Sequence, residues 1–364
     1  MNKQTMTGMP KTMRAAILTQ LRAPLGVLEV TMPETLAVGQ VLVKVHYSGI
    51  CGSQIGEIDG AKGEDKYLPH LLGHEASGTV IDVGPGVRHV AAGDTVVLHW
   101  RKGIGIDAEP ARFSCNGEKI NAGSITTFSE YAIVSENRLT PIVQDSDLQV
   151  AALFGCAVTT GFGVVENNAK VRIGESAVVY GAGGVGLNIV QALALVTAYP
   201  IIAVDIYENK LELAKKMGAT HVVNAKNAGI ADIQKIIFDI AGPVGIDVFI
   251  DNTGQPSVIE MGYQIVKPQG RVTLVGVPKI GRNVNIYTLP LHFGKGFSGS
   301  EGGASNPTID IPRYHRLFSQ GRILLKELIT GCYSLDQINV ALDAMRDGAL
   351  SGRCLIAMDE TPSS

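Results

Sequence analysis

The stretch Ala177-Val178-Val179-Tyr180-Gly181-Ala182-Gly183-Gly184-Val185-Gly186 runs from a short apolar segment into a glycine loop, and the helical pattern Gly184 to Val196 follows it. Glycines at this spacing carry little weight alone. With a strand before them and a helix after them, they fall where the pyrophosphate of a dinucleotide meets a helix N-terminus. Gly181 permits the tight turn, Gly183 lets the backbone approach the pyrophosphate, and Gly186 allows helix and strand to pack closely. Gly184 and Val185 open the helix whose free N–H groups face the phosphates. Asp205 ends the next candidate strand, nineteen positions beyond Gly186. A carboxylate there accepts from the adenosine ribose hydroxyls and repels a 2′-phosphate, so the cofactor expected is NAD rather than NADP. Lys210 is a candidate brace for the same ribose, a role that competes with that of a solvated helix lysine.

Working outward, candidate strands at Ala177 to Tyr180, Ile201 to Val204, His221 to Val223, Asp247 to Ile250, Arg271 to Val275 and near Phe297 alternate with helical segments such as Asn209 to Met217. This is the βα order of a doubly wound parallel sheet, an α/β class. Upstream, Arg14 to Val97 shows short apolar runs cut by Gly, Pro and Asp, the texture of a β-rich region with tight turns. The segment His99 to Thr127 reads as a long loop or small lobe. Beyond Ser305, helical segments Pro312 to Phe318 and Leu335 to Asp347 precede a last strand, Arg353 to Met358, which must pack back on the first region. The glycine-rich Gly299 to Gly303 stretch reads as a turn, since no Gly-Lys-Ser/Thr ending makes it a phosphate loop.

At 364 residues the chain suits two domains. A net charge of −3 with no basic stripe points to no nucleic acid and no anionic membrane. Met1 to Met13 is polar, and the apolar stretch Ile189 to Val204 is interrupted by Gln191, Thr197, Tyr199 and Pro200, so a cytoplasmic location is expected. Five cysteines in a chain of this length do not make a disulfide framework, and Cys115, Cys332 and Cys354 are given no role.

Two of the cysteines have a different setting. Gly49-Ile50-Cys51-Gly52-Ser53, Gly73-His74-Glu75 and Phe154-Gly155-Cys156-Ala157 each place a metal-ligand residue beside a glycine. Two thiolates and an imidazole with an open fourth position are the ligand set of a catalytic zinc, whereas structural zinc is normally closed by four side chains. His74 lies in a run, Gly73-His74-Glu75 through Gly78 and Gly84 to Val87, that fits GHExxGxxxxxGxxV at every fixed position. Such glycines suit the sharp turns that aim ligands inward. Ser53, two residues beyond Cys51, is a candidate proton acceptor beside the metal, with helix capping as its structural alternative.

These segments, together with Gly93-Asp94, Phe113 to Gly117, Thr127 to Tyr131 and Thr160-Gly161, resemble the zinc-containing medium-chain alcohol dehydrogenases over nearly the whole chain. The resemblance implies a GroES-like β-rich catalytic domain interrupted by a Rossmann domain, with parts at 1–157, 158–300 and 301–364. It implies that Cys51, His74 and Cys156 hold one catalytic zinc, with Glu75 behind them and able to join during ligand exchange. By the same carry-over Thr160 and Val185 support the nicotinamide, the backbone at Val275 and Val277 binds its carboxamide, and Arg353 reaches the pyrophosphate. The expected reaction is hydride transfer between an alcohol, or its aldehyde or ketone, and NAD. The expected partner is a small-molecule alcohol or carbonyl compound, and the expected assembly is a homodimer or homotetramer, with the edge strand near Phe297 available for pairing.

The departures from the family pattern are specific. The lobe that carries four cysteines and a structural zinc in many relatives contains only Cys115 between Trp100 and Cys115, so that zinc is expected to be absent. The usual acid after Cys-x-Ser is Gln54, whose amide oxygen is expected to accept from the ligand imidazole without charge. The usual relay histidine is Gly56, so the proton is expected to pass from Ser53 through the ribose to water, with Glu57 as a substitute less favoured than a solvated carboxylate. Trp100 is a candidate pocket wall or core residue, while Ala122 and Gly123 leave room for a substrate larger than ethanol. Two other readings stand beside this one. One is a zinc-free reductase of activated double bonds on the same fold; the other is a non-catalytic NAD-binding protein whose zinc is closed by Glu75.

Overall fold

A computed structural model describes residues 9 to 359, so residues 1 to 8 of the polar N-terminal segment lie outside the described residues. Among the described residues the decisive stretch forms the centre of a parallel six-stranded sheet. Its order is His221–Asn224, Ile201–Asp205, Ala177–Tyr180, Ile246–Asp251, Val266–Leu274 and Gly296–Gly299. The order reverses at Ala177–Tyr180, and ligands of doubly wound sheets bind at such a switch point, beyond the carboxyl ends of the strands. Ala177 and Val179 pack in one apolar cluster with Leu187 and Val190, while Val178 and Tyr180 pack in another with Ile233 and Met261. Burial on both faces is why these strands read as continuous apolar runs rather than alternating ones.

The first region forms a five-stranded sheet and five strands of a seven-stranded one, which Ile329–Ser334 and Arg353–Ala357 complete. The strand Gln40–Ile50 pairs with Glu75–Val83 on one side and, antiparallel, with the last strand, Arg353–Ala357, on the other. In that register Cys354 stands opposite Ile50, which brings Arg353 to the vicinity of Cys51. The chain therefore returns to the sheet from which the first ligand emerges.

The segment expected to be a long loop or small lobe is more ordered than that. Phe113–Cys115 and Glu118–Ile120 form a hairpin whose two central residues, Asn116 and Gly117, have φ of 51° and 82°. Asn-Gly with both φ positive is the turn that matches the twist of paired strands. The two strands are only three residues each, too short for alternation to reveal them.

Candidate active site

Glycines set the direction of two of the three metal-ligand side chains. Gly73 has φ of 95°, and a Cβ there would lie 2.4 Å from Thr127 Oγ1, so the sharp bend before His74 requires glycine. A Cβ at Gly155, ahead of Cys156, would lie 2.3 Å from Leu98 O and 2.7 Å from Glu75 Cβ. Cys51 ends the strand Gln40–Ile50 and heads the helix Gly52–Ile58. The sulfurs of Cys51 and Cys156 and a ring nitrogen of His74 all lie within 4.8 Å of one another.

The donor set suits a metal on the evidence of its own atoms. His74 Nε2 is buried with no hydrogen-bond partner. A hydrogen bond from Cys156 holds the Cys51 thiol well below its ordinary pKa, and His74 and the Arg353 charge act in the same direction against burial. Cys156, which donates that proton, is pushed well above its ordinary value by Cys51 and by burial, while Trp100 favours its thiolate. A divalent cation replaces the shared proton and satisfies all three groups.

The structure places the surrounding residues differently from expectation in several respects. Gln54 Oε1 accepts from the Cys51 backbone N–H at 2.9 Å, so that oxygen serves the helix cap and does not orient the His74 ring. The cap position belongs to Cys51, and Ser53 stands exposed in the cofactor cleft rather than acting as the capping hydroxyl. Glu75 is fully buried, with Oε1 in contact with Arg353 Nη2 and Oε2 accepting from Ala157 N at 3.2 Å. It is not one of the three clustered ligands. Trp100 packs beside Gly302, where a Cβ would lie 2.5 Å from its ring, and favours the Cys156 thiolate. It does not line the cavity that contains Ala122 and Gly123.

That cavity, of about 500 Å³, has His74 in its wall together with Leu72, Ala122, Gly123 and Ile125. A second cavity of about 650 Å³ is lined by Cys51 and Ser53 on one side and by Gly181, Gly183, Gly184, Val185 and Gly186 on the other. A Cβ at Gly183 would meet nothing within 4 Å, so its backbone is open to a ligand. A Cβ at Gly186 would lie 2.0 Å from Gly181 O, and one at Gly184 would lie 2.0 Å from Arg353 Cδ. Gly184 thus makes room for the arginine as well as opening the helix.

Asp205 also lines this cleft. Its Oδ2 accepts from Ala182 N at 2.7 Å and its Oδ1 from Ile206 N and Tyr207 N at 2.8 and 3.1 Å, so the carboxylate braces the glycine loop. One lone pair of Oδ2 remains for a ligand hydroxyl. Lys210 Nζ lies 4.6 Å over the Tyr207 ring at the cleft. Val275 and Val277 line the far wall, Val275 N donating to Asp251 O at 2.8 Å. Thr160 is buried on the helix Ala157–Gly163 that follows Cys156, and its Oγ1 has no hydrogen-bond partner.

Asn252 was not foreseen in the sequence. Both of its amide atoms are buried without partners, and it lines the cofactor cleft at the carboxyl end of Ile246–Asp251. The polar run Asp251-Asn252-Thr253-Gly254 after an apolar strand was the available signal, since ligands bind beyond strand ends in such sheets.

Most of the chain has counterparts among known proteins. Residues 37–144 match the family described as "Alcohol dehydrogenase GroES-like domain", and residues 184–319 match "Zinc-binding dehydrogenase". An S-(hydroxymethyl)glutathione dehydrogenase of Paracoccus denitrificans is 32% identical, with 92% of this chain and 97% of the relative aligned. A class-3 alcohol dehydrogenase of Cereibacter sphaeroides shows the same identity and coverage, 32% over 92% and 97%. The solved structure of benzyl alcohol dehydrogenase from Acinetobacter calcoaceticus superposes with a TM-score of 0.84 at 29% identity, covering 96% of this chain and all of that one.

Proposed function

The chain belongs to the zinc-containing medium-chain alcohol dehydrogenases, and from that membership we propose the residues through which it transfers a hydride between an alcohol and NAD. It is a zinc-dependent oxidoreductase acting on an alcohol or the corresponding carbonyl compound. One observation supports the assignment of roles: the Cys51, His74 and Cys156 cluster stands between the two cavities. Cys51 faces the glycine-lined cleft, and His74 faces the cavity with Ala122 and Gly123. A substrate in the second cavity meets a cofactor in the first at the cluster.

When bound, zinc supplies the Lewis acidity that lets an alcohol ionise near neutral pH, and the nicotinamide accepts the hydride. Cys51, His74 and Cys156 hold the metal, while Trp100 tempers the charge on the Cys156 sulfur. Ser53 takes the alcohol proton, and its exposure in the cleft gives that proton a path by the ribose to water in place of a histidine at position 56. Thr160, Val185, Val275 and Val277 fix the nicotinamide, Asp205 and Lys210 the adenosine ribose, and Arg353 the pyrophosphate. Glu75 serves first as the buried counter-charge to Arg353. That contact argues against a zinc closed by Glu75, and the dehydrogenase relatives disfavour a zinc-free reductase of double bonds.

We also propose the division 1–157, 158–300 and 301–364, supported by the sheet memberships described above. The assembly proposed is a homodimer through the free edge of Gly296–Gly299, which has exposed Ile280, Tyr287 and Phe293 on the neighbouring segment. Among the described residues no helix is long and apolar enough to cross a membrane. The cysteines are free, with Cys51 and Cys156 close together, which supports a reducing, cytoplasmic setting.

NADH formation with primary, secondary and polyhydroxy alcohols, measured alongside zinc content, tests this reading. Activity that rises with zinc to about one ion per chain and disappears on chelation is expected. Undiminished turnover in zinc-free protein would overturn it.

A further inference from the structure

Glu57, Asp65 and His70 form a second group of titratable side chains whose ligand-type atoms lie within 4.8 Å of one another. All three line the cavity that contains His74. We infer that they select the substrate: an alcohol bearing a further hydrogen-bond donor, a second hydroxyl or an ammonium, which the Glu57 carboxylate accepts while the carbinol is held at His74. The inference rests on the proposed reading of His74 as a metal ligand.

The group is held in place from both sides. Asp65 Oδ1 accepts from Tyr67 N at 2.9 Å, which turns Oδ2 toward His70 Nε2, also at 2.9 Å. The other ring nitrogen, Nδ1, lies 2.9 Å from Leu71 O. Both nitrogens therefore face oxygen atoms, and these two contacts fix the ring between Asp65 and the backbone. The Glu57 carboxylate has no hydrogen bond or ion pair among the described residues and stands free at the cavity wall.

Gln54 adds a donor to the same wall. It is 1% exposed, its Oε1 is used by Cys51, and its Nε2 has no partner. A free acceptor and a free donor beside the Asp65–His70 hydrogen bond match a hydroxyl, which both donates and accepts, and the acceptor alone matches an ammonium. A purely apolar alcohol leaves Glu57 and Gln54 facing it unpaired, and such mismatches discriminate strongly between substrates. Arg112 and Lys119 also line the cavity, but both are exposed at its rim, whereas His70 and Gln54 are buried.

The test compares kcat and KM for a diol, an amino alcohol, a hydroxy acid and an unbranched alcohol of matched length, in wild-type protein and in Glu57→Gln and Asp65→Asn. The diol or the amino alcohol should exceed the unbranched alcohol by roughly 10- to 100-fold in kcat/KM. Glu57→Gln should cut that preference about tenfold, with the loss falling on KM; the stronger of the two substrates identifies the donor. Preference for the hydroxy acid, an equal loss of kcat with every alcohol, or unbranched alcohols as good as the diol would overturn the inference. So would about two zinc ions per chain in wild type falling to one in His70→Ala, because the group would then be a metal site. Failure of every alcohol to react would overturn the proposed function instead. Calorimetric binding of a diol and a diamine to wild type and Glu57→Gln then decides the inference by itself, weaker binding to the variant supporting it and equal binding overturning it.

Discussion

His99 is fully buried between Arg101 O at 2.7 Å and Thr140 Oγ1 at 3.0 Å, and burial lowers its pKa from 6.5 to about 4. The neutral ring is what the fold accommodates. In the unfolded chain the ring takes a proton once the pH falls below about 6.5, so stability declines from there and the decline levels off near pH 4. The total is about 3 kcal/mol on the usual conversion of a pKa shift. Urea midpoints across this range should show that loss, and His99→Gln should flatten it; an equal slope in the variant would assign the acid sensitivity elsewhere. Asn252 presents the opposite balance. Its unpaired buried amide is a cost to the free protein and a contact for the cofactor, so Asn252→Ala should weaken NAD binding about tenfold without lowering Tm. A large fall in Tm with unchanged NAD affinity would make it structural. At this scale the metal ligands were legible because each has a glycine beside it in the sequence, and before His74 and Cys156 that glycine is sterically required. Asn252 and the Glu57, Asp65 and His70 group were not, since their meaning depends on burial and on loop placement that spacing does not encode.

Strands and helices position these side chains, and the glycine loop after Ala177–Tyr180 is the most constrained element. A methyl group at residue 186 must displace the Gly181 carbonyl, which lies 2.0 Å from where it would stand. Overpacking of that kind costs about 1–3 kcal/mol. Gly186→Ala should therefore raise KM for NAD roughly tenfold or more while leaving zinc content unchanged. Parallel loss of zinc would instead indicate unfolding. The six-stranded sheet was legible because its central strands are apolar on both faces and the strands alternate with helices. The hairpin Phe113–Cys115 and Glu118–Ile120 was missed because its strands are too short to alternate, although Asn116-Gly117 alone was a sufficient turn signal. That the last strand must return to the first region was readable from the completed set of six βα strands. Its register against Gln40–Ile50 was not, and that register is what places Arg353.

Across the whole molecule, Arg353 ties the two halves of the site together. It is carried in by the final strand, lies over Gly184 in the cofactor cleft, and meets Glu75 directly behind the metal ligand His74. Glu75 in turn accepts from the first N–H of the helix that follows Cys156, while Gly49 and Gly155 leave the space that its side chain fills. The pair is 3% and 0% exposed, so neither charge has water as an alternative partner. Removing one member of such a pair strands the other, typically at 3–5 kcal/mol, whereas removing both charges together costs much less. Arg353→Met should therefore destabilise the protein by about that amount and also raise KM for NAD. The double variant Glu75→Gln with Arg353→Met should recover most of the stability and none of the NAD affinity, because the lost cofactor contact is independent of Glu75. Denaturant midpoints and KM for NAD in the two single variants and the double separate these effects. If the destabilisations simply add, Glu75 is held by Ala157 N and its surroundings, and the metal side and the cofactor side of the site are not coupled through this ion pair.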